Sequence, residues 1–191
     1  MKNFIDKKYI SILERELYKA TTDFELAEYF FEKYHVEILK RYQIILRDFS
    51  NHYAYLALLS LGKIFDTTRG TNNISYVIGQ LTDIAKQGCY KKQVEETKGK
   101  MDFIINGRNE RIAHSSITED SEPSIVYATY AETDVPIIRD ILKEIKDIIY
   151  QLKVDYGYEA DTDYLGNDKI SEAKHLIEAL IETENKWRVI S

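Results

Sequence analysis

Hydrophobic residues recur along this chain at intervals of three and four, the spacing that places them on one face of an α-helix. The clearest case follows Asp134. Its apolar positions are Ile137, Ile138, Ile141, Leu142, Ile145, Ile148, Ile149 and Leu152. Helix-breaking residues are scarce, because the 191 residues include only two prolines and eight glycines. The pattern therefore predicts an all-α protein, an up-and-down bundle of about six to seven helices.

Capping signals divide the first third of the chain into predicted helices. A first helix precedes Thr22, which together with Glu25 has the form of a capping box. This box is expected to open a second helix that reaches about residue 45. Ser50 and Asn51 then offer the cap of a third helix, a central one that ends at Phe65.

The middle of the chain predicts one short and one long helix. Asn73 or Ser75 caps the short helix, which runs through Ile84 and stops at Gly88. The long helix is expected at about 91–114, because its apolar residues again follow the helical period.

The last third contains one extended segment and two further helices. Strand-like composition at 124–131 predicts a short extended crossing segment. A helix is expected to start at Thr133 or Asp134, and an acidic loop at 155–168 to separate it from a final helix at 169–186. Since no repeat or domain boundary is evident, we expect the whole chain to form a single helical domain.

The amino-acid composition excludes several classes of protein. Hydrophobic residues make up 44% of the chain, as in a globular protein, and the longest apolar run, at 53–61, is too short to span a bilayer. The start of the chain lacks the layout of a signal peptide. One cysteine, Cys89, excludes an internal disulfide framework and a cysteine-based zinc cluster. We expect a cytoplasmic protein without a membrane partner, and no motif requires a cofactor or a metal.

The charge of the chain is unevenly distributed. A net charge of −6 does not favour a general nucleic-acid binder. Residues 86–111, however, contain seven basic and four acidic residues and carry +3, so the rest of the chain carries −9. This basic stretch is either a solvated helix face or the approach to a site, and charge alone leaves both interpretations open.

The basic stretch ends in the run Arg108-Asn109-Glu110-Arg111-Ile112-Ala113-His114-Ser115. An arginine binds phosphate with a planar fork of donors, and a histidine exchanges protons near neutral pH. Arg108 falls on the apolar stripe of its predicted helix, between Ile105 and Ile112. It therefore either extends its charged end to solvent or points into an interface or a site.

Arg47 and His52 form a second arginine–histidine pair of similar spacing, so the spacing alone is a weak signal. The predicted context separates the two pairs. Arg47 and His52 are expected to lie on either side of the helix break at Ser50, whereas Arg108 and His114 share one predicted helix. This difference favours the pair at 108 and 114 as the candidate site.

The segment Arg108-Asn109-x-x-x-Ala113-His114 resembles the signature of HEPN domains. These are helical domains whose motif has an arginine, then a polar residue, then a histidine near the end of a helix. Two upstream segments resemble the abortive-infection U-type branch: Leu58-Leu59-Ser60-Leu61-Gly62-Lys63-Ile64-Phe65-Asp66 and Asn73-Ile74-Ser75. The layout fits residues 42–152, and the resemblance implies a HEPN-like core at about 22–153.

The resemblance implies a metal-independent endoribonuclease of a phage-defence or toxin system. In such an enzyme His114 would act as the general base or acid, and Arg108 would stabilise the charge that develops on the phosphoryl oxygens. Asn109 would orient the phosphate or ribose. Glu110 and Arg111 are secondary candidates, the first for orienting the imidazole and the second for a further phosphate contact. Each of these two side chains alternatively faces solvent.

The helical spacing of Arg108 and His114 points to a dimer. Six residues of helix correspond to about 9 Å of rise and about 120° of rotation, so one subunit does not place the two side chains together. A twofold axis would bring two pairs into one cleft, as HEPN relatives typically do. We therefore expect a homodimer that acts on RNA, with an antitoxin or regulatory protein as a further candidate partner.

Two alternatives remain open at this point. In the first alternative, the chain is a catalytically inactive HEPN-like module that binds RNA, a nucleotide or a protein. The overall acidity of the chain favours this alternative. In the second alternative it is a helical scaffold in which Arg108 pairs with an acid across the dimer.

Overall fold

The computed structural model describes residues 7–66, 68, 73–115, 134–158 and 168–190, and for 108–115, 168, 189 and 190 it describes the helical backbone without the side chains. Within these residues the chain forms six α-helices and one short 3₁₀ helix, Glu37–Tyr42, and no strand. The helices are α1 (Lys7–Tyr34), α2 (Gln43–Phe65), α3 (Ile74–Gly79), α4 (Ile84–Ser115), α5 (Asp134–Asp155) and α6 (Asp168–Ile190). The prediction of an all-α protein is confirmed.

Polar contacts between α1 and its neighbours show the relative directions of the helices. Lys63 in α2 lies 3.5 Å from Glu16 in α1, and further along both helices the Ser50 hydroxyl donates to the carbonyl of Ala27. Higher residue numbers in α2 therefore face lower numbers in α1, as in an antiparallel pair. The same holds for α5 and α1, because Lys153 contacts Glu14 while Arg139 contacts Glu28 nearer the other end.

Helix α4 is in turn antiparallel to α5. Lys86 near the start of α4 contacts Asp155 at the end of α5, and Lys100 contacts Glu144. The long helices α1, α2, α4 and α5 thus alternate in direction, which is the predicted up-and-down arrangement.

The bundle has two hydrophobic clusters. The larger one joins buried residues of α1 to α5, among them Ile10, Leu13, Leu61, Ile104 and Ile145. The hydrophobic core consequently begins well before residue 22. The smaller cluster packs α6 against the junction of α1 and α2, with the members Leu26, Phe30, Leu39, Leu46, Ala173 and Ile177.

The predicted helix break at Thr22 is wrong. Helix α1 continues without interruption from Lys7 to Tyr34, and Thr22 is buried within it. The helix continues because Ala20, Phe24 and Ala27 extend its buried face across this position, and packing of that face outweighs the local preference of Thr22 for a helix cap. The chain instead leaves the α-helix after Tyr34 and passes through the 3₁₀ helix.

The predicted break at Ser50 and Asn51 is also wrong. Both residues lie inside α2, where the Ser50 hydroxyl donates to the Ala27 carbonyl at 2.8 Å. The side chain therefore contacts a neighbouring helix instead of capping its own. Arg47 and His52 accordingly share one helix, and the contextual argument that set them apart from Arg108 and His114 no longer holds.

Of the two expected caps, Asn73 and Ser75, the structure shows Asn73, whose side-chain oxygen accepts a hydrogen bond from the Tyr76 amide at 2.7 Å. Helix α3 is shorter than predicted and ends at Gly79. Helix α4 begins earlier than predicted and passes through Gly88, the expected stop. Asp83 accounts for this start, since its carboxylate accepts from the Lys86 amide at 3.0 Å.

The last two helices agree with the sequence pattern. Helix α5 starts at Asp134, and α6 starts at Asp168 and extends four residues beyond the predicted end of 186. The extended segment predicted at 124–131 and residues 159–167 of the predicted acidic loop lie outside the described residues. Among the helices described, none combines the length and the apolar character needed to cross a membrane.

Candidate functional site

All five predicted site residues belong to one helix. Arg108, Asn109, Glu110, Arg111 and His114 fall within roughly the last two turns of α4, a helix of 32 residues. Their side chains lie outside the described residues. Whether these groups meet one another, or those of a second subunit, therefore remains a prediction.

The helical face that leads to Arg108 is buried. Val94, Thr97, Met101 and Ile104 are all buried on α4, and they follow one another at intervals of three and four residues. Position 108 comes four residues after Ile104 and continues this face. By helical spacing alone, position 108 is in line with these four residues.

The register of α4 against α5 indicates where the motif lies in the bundle. Residue numbers rise along α4 as they fall along α5, from Lys86 opposite Asp155 to Lys100 opposite Glu144. Extending this register places the backbone of position 108 level with the first turn of α5. The motif is therefore carried at the end of the bundle where α5 begins.

A cleft of about 590 Å³ lies between α4 and α5, along the half of α4 that precedes the motif. From α4 it is lined by Lys86, Cys89, Tyr90, Gln93, Glu96, Thr97 and Lys100. From α5 it is lined by Glu144, Asp147, Ile148, Gln151 and Asp155. These positions recur every three or four residues on each helix, so the cleft is the seam between two antiparallel helices.

One polar clamp joins α4 to α5 where α5 ends. The Lys86 ammonium contacts one oxygen of Asp155, and the Tyr90 hydroxyl donates to the other at 2.7 Å. Burial alone would raise the pKa of Asp155, but these two hydrogen bonds outweigh it and hold that pKa below its usual value. The pKa of Lys86 is raised, chiefly by its hydrogen bond to Asp155. Both groups of the pair are therefore charged at neutral pH.

A second polar clamp joins the two helices further along α4. The Thr97 hydroxyl lies 2.8 Å from the Gln93 carbonyl and 2.9 Å from a Glu144 carboxylate oxygen. Lys100 pairs with the other oxygen of Glu144. This hydrogen bond is the main reason why the pKa of Lys100 is raised. The polar side chain of Thr97 is thus satisfied although the residue is buried.

The cleft does not have the chemistry of the predicted nuclease site. Its two lysines are paired with carboxylates, and its lining contains no histidine. In the part of the chain that is described, no group of three or more His, Cys, Asp or Glu residues is arranged to hold a metal ion. Sequence reasoning overlooked this cleft, although the polar positions of α4 at 86, 89, 93, 96 and 100 share one helix face.

Comparison of the chain with protein-family models, with curated proteins and with solved structures found no match. The resemblance to HEPN domains therefore depends on the residues quoted for it.

Proposed function

We propose that this chain is a HEPN-type endoribonuclease that cleaves RNA without a metal ion, in phage defence or as a toxin. The observation that carries the proposal is that Arg108, Asn109 and His114 occur together at the end of one unbroken helix. An all-helical up-and-down bundle is the architecture that the resemblance implies.

The proposed chemistry is an attack within the RNA strand. His114 removes the proton from a ribose 2′-hydroxyl, and the freed oxygen bonds to the adjacent phosphorus. The bond from phosphorus to the 5′ oxygen breaks, and that oxygen takes up a proton. Arg108 stabilises the negative charge on the phosphoryl oxygens, and Asn109 orients the phosphate or ribose. Arg111 would add a second phosphate contact.

The active species in this proposal is a homodimer. Arg108 and His114 are separated by about 9 Å along α4 and by about 120° around it, so two copies are needed to surround one phosphate. Light scattering coupled to size-exclusion chromatography, at micromolar concentration, measures the mass directly. A dimer of the 22.4 kDa chain is expected. A strictly monomeric protein would remove this part of the proposal.

The nuclease activity is tested by incubating the full chain with RNA in EDTA. His114→Ala should lower the cleavage rate by about 10² to 10⁴, the range of a lost general acid or base. The chain offers a matched control in His52→Ala, because Arg47 and His52 form the other arginine–histidine pair on a single helix. Cleavage that is equal in wild type and His114→Ala, or reduced equally by His52→Ala, contradicts the assignment.

A catalytically inactive HEPN-like module that binds RNA, a nucleotide or a protein is the second candidate, and the net charge of −6 favours it because binding a protein does not require a basic surface. It predicts RNA binding that survives His114→Ala but weakens with Arg108→Ala and with added salt. Fluorescence anisotropy with labelled RNA separates the two candidates. Binding without cleavage by the wild type, across several RNAs, supports the module.

A further inference from the structure

The outward side of α2 is apolar although it faces solvent. Its large side chains that are between 38% and 68% exposed are Ile44, Ile45, Phe49, Tyr55 and Leu59. The opposite side of the same helix is already buried in the core, from Leu46 to Phe65. Packing of α2 within the bundle therefore does not account for the apolar residues on its outward side.

The charge of this side differs from that of a neighbouring helix. On α5, the exposed positions 139, 140, 143, 146 and 147 all carry a charge. The stretch of α2 from Ile44 to Leu59 contains two residues of the Asp, Glu, Lys and Arg types, Arg47 and Asp48, and these lie 3.8 Å apart as an ion pair. The outward side of α2 is thus close to neutral in a chain of net charge −6, so two copies would not repel each other there.

The exposed stripe has the spacing of a seam between two helices. Residues 45, 49, 52, 56 and 59 follow one another in alternating steps of four and three, the heptad spacing with which one helix packs along another. Four of these five positions are apolar, and His52 is the fifth. The stripe extends about 21 Å along the helix axis. A second helix laid along α2 is the occupant that this spacing fits.

The area of the stripe is also that of an interface. At their exposed fractions, the five large side chains present about 500 Å² of apolar surface, which is near the upper end of the largest patches on soluble monomers. A second helix would also cover Asp48, His52 and the half-buried Leu56. These residues bring the buried area close to the value of about 800 Å² that each partner contributes to a standard interface.

We propose that the outward side of α2 is the contact between two copies of this chain, packed antiparallel about a twofold axis near His52. In this arrangement Ile45 of one copy lies level with Leu59 of the other, and Asp48 lies level with Tyr55. A parallel arrangement would place the two Asp48 carboxylates together. The proposal rests on the proposed function in that it names the surface through which the homodimer forms.

Helix α4 runs beside this contact. A Cβ atom on Gly62, at the edge of the outward side of α2, would lie 3.7 Å from Cε of Met101 in α4. Position 108 is two turns beyond Met101. Because α4 and α2 run in opposite directions, helical spacing places the backbone of position 108 within about two turns of the proposed axis. A dimer through α2 would therefore bring the motif-bearing ends of two α4 helices toward one interface.

The double variant Ile45→Lys with Leu59→Lys tests the surface. Both positions are exposed, so the fold should be retained, which circular dichroism checks. The dimer should dissociate about 10²-fold more readily, because apolar contacts are lost and the new ammonium groups of the two copies face each other. Light scattering at micromolar concentration should then give 22.4 kDa in place of twice that mass. Since both substitutions reduce the net negative charge, a general repulsion between copies does not explain this result.

The double variant Ile45→Lys with Leu59→Glu tests the antiparallel arrangement. There each new ammonium group lies level with a new carboxylate of the other copy. This variant should therefore associate about tenfold more tightly than Ile45→Lys with Leu59→Lys. In a parallel dimer like charges meet in both variants, so equal affinities would overturn the antiparallel arrangement.

The matched control is Val154→Lys with Leu176→Lys, which places the same charges at apolar residues that are 48% and 45% exposed on α5 and α6. This control should remain dimeric, because neither position belongs to α2. The variant His52→Ala should also remain dimeric, because it adds no charge to the outward side of α2. It therefore still serves as the control in the RNA cleavage assay.

The outcomes separate this proposal from the ribonuclease assignment. A monomeric wild type overturns the α2 contact and the homodimer together, and leaves the outward side of α2 to a different occupant. A wild-type dimer that persists in Ile45→Lys with Leu59→Lys, or that the control variant dissociates equally, overturns the α2 contact alone. Dissociation by the α2 variant and not by the control supports the contact, even where the dimeric wild type fails to cleave RNA. Such a failure counts against the ribonuclease only.

Discussion

The ion pair between Lys153 and Glu14 joins α5 to α1 inside the bundle, and its removal should destabilise the fold strongly. The two charged atoms lie 2.6 Å apart, and only 10% of the Lys153 side chain and 16% of the Glu14 side chain are exposed. At this distance the attraction is about 6 kcal/mol with an effective dielectric constant of about 20. Much of that attraction offsets the desolvation of the two charges.

Replacing one partner removes this ion pair from a largely buried position between α5 and α1. Glu14→Gln and Lys153→Met should each lower the free energy of unfolding by about 3–5 kcal/mol. The double variant Glu14→Leu with Lys153→Met should recover most of the loss, because it removes both charges and keeps apolar volume.

Urea denaturation followed by circular dichroism measures these changes, and the exposed pair of Lys186 and Glu182 provides the control. Those side chains are 77% and 75% exposed and lie 3.8 Å apart, so Lys186→Met should change stability by less than about 0.5 kcal/mol. If the single variants at 14 and 153 fall within the same small range, the pair is solvated and the argument from burial fails. A double variant no better than the worse single variant would also refute it.

Three further predictions concern local contacts. Tyr156→Phe should cost about 1–2 kcal/mol in urea denaturation, because the hydroxyl donates at 2.7 Å to a buried backbone carbonyl in α3. Asn73→Ala should cost about 1 kcal/mol through loss of the α3 cap, and Asn73→Ser should retain most of the stability. Burial raises the pKa of Asp155, but the hydrogen bonds from Lys86 and Tyr90 lower it by more, so the pKa in the folded protein is below its ordinary value. Asp155 therefore contributes its full stability above the unfolded pKa of about 3.9 and loses this contribution as the pH falls through the lower folded pKa. Urea midpoints measured against pH should therefore fall less steeply on acidification in Asp155→Asn than in the wild type.

The motif at the end of α4 shows how far sequence reasoning reaches toward a site. The residue types and the helical position of Arg108 and His114 are evident from the chain alone, and α4 does carry both. The prediction that a helix break separates Arg47 from His52 is wrong, because Ser50 resembles a helix cap but contacts a neighbouring helix. Whether the Arg108 and His114 side chains come together depends on helix packing or on a second subunit. The spacing of residues along one chain does not determine either.

The sequence by itself determined the fold class and the best-patterned helix. The apolar period after Asp134 and the cap at Asn73 act within a few residues, so they can be recognised without knowledge of the rest of the chain. The tertiary structure alone decided that Thr22 and Ser50 do not end helices and that α4 and α5 enclose a cleft. These features depend on burial and on contacts between residues far apart in sequence, such as Tyr90 with Asp155, where the free energy of packing outweighs local preference.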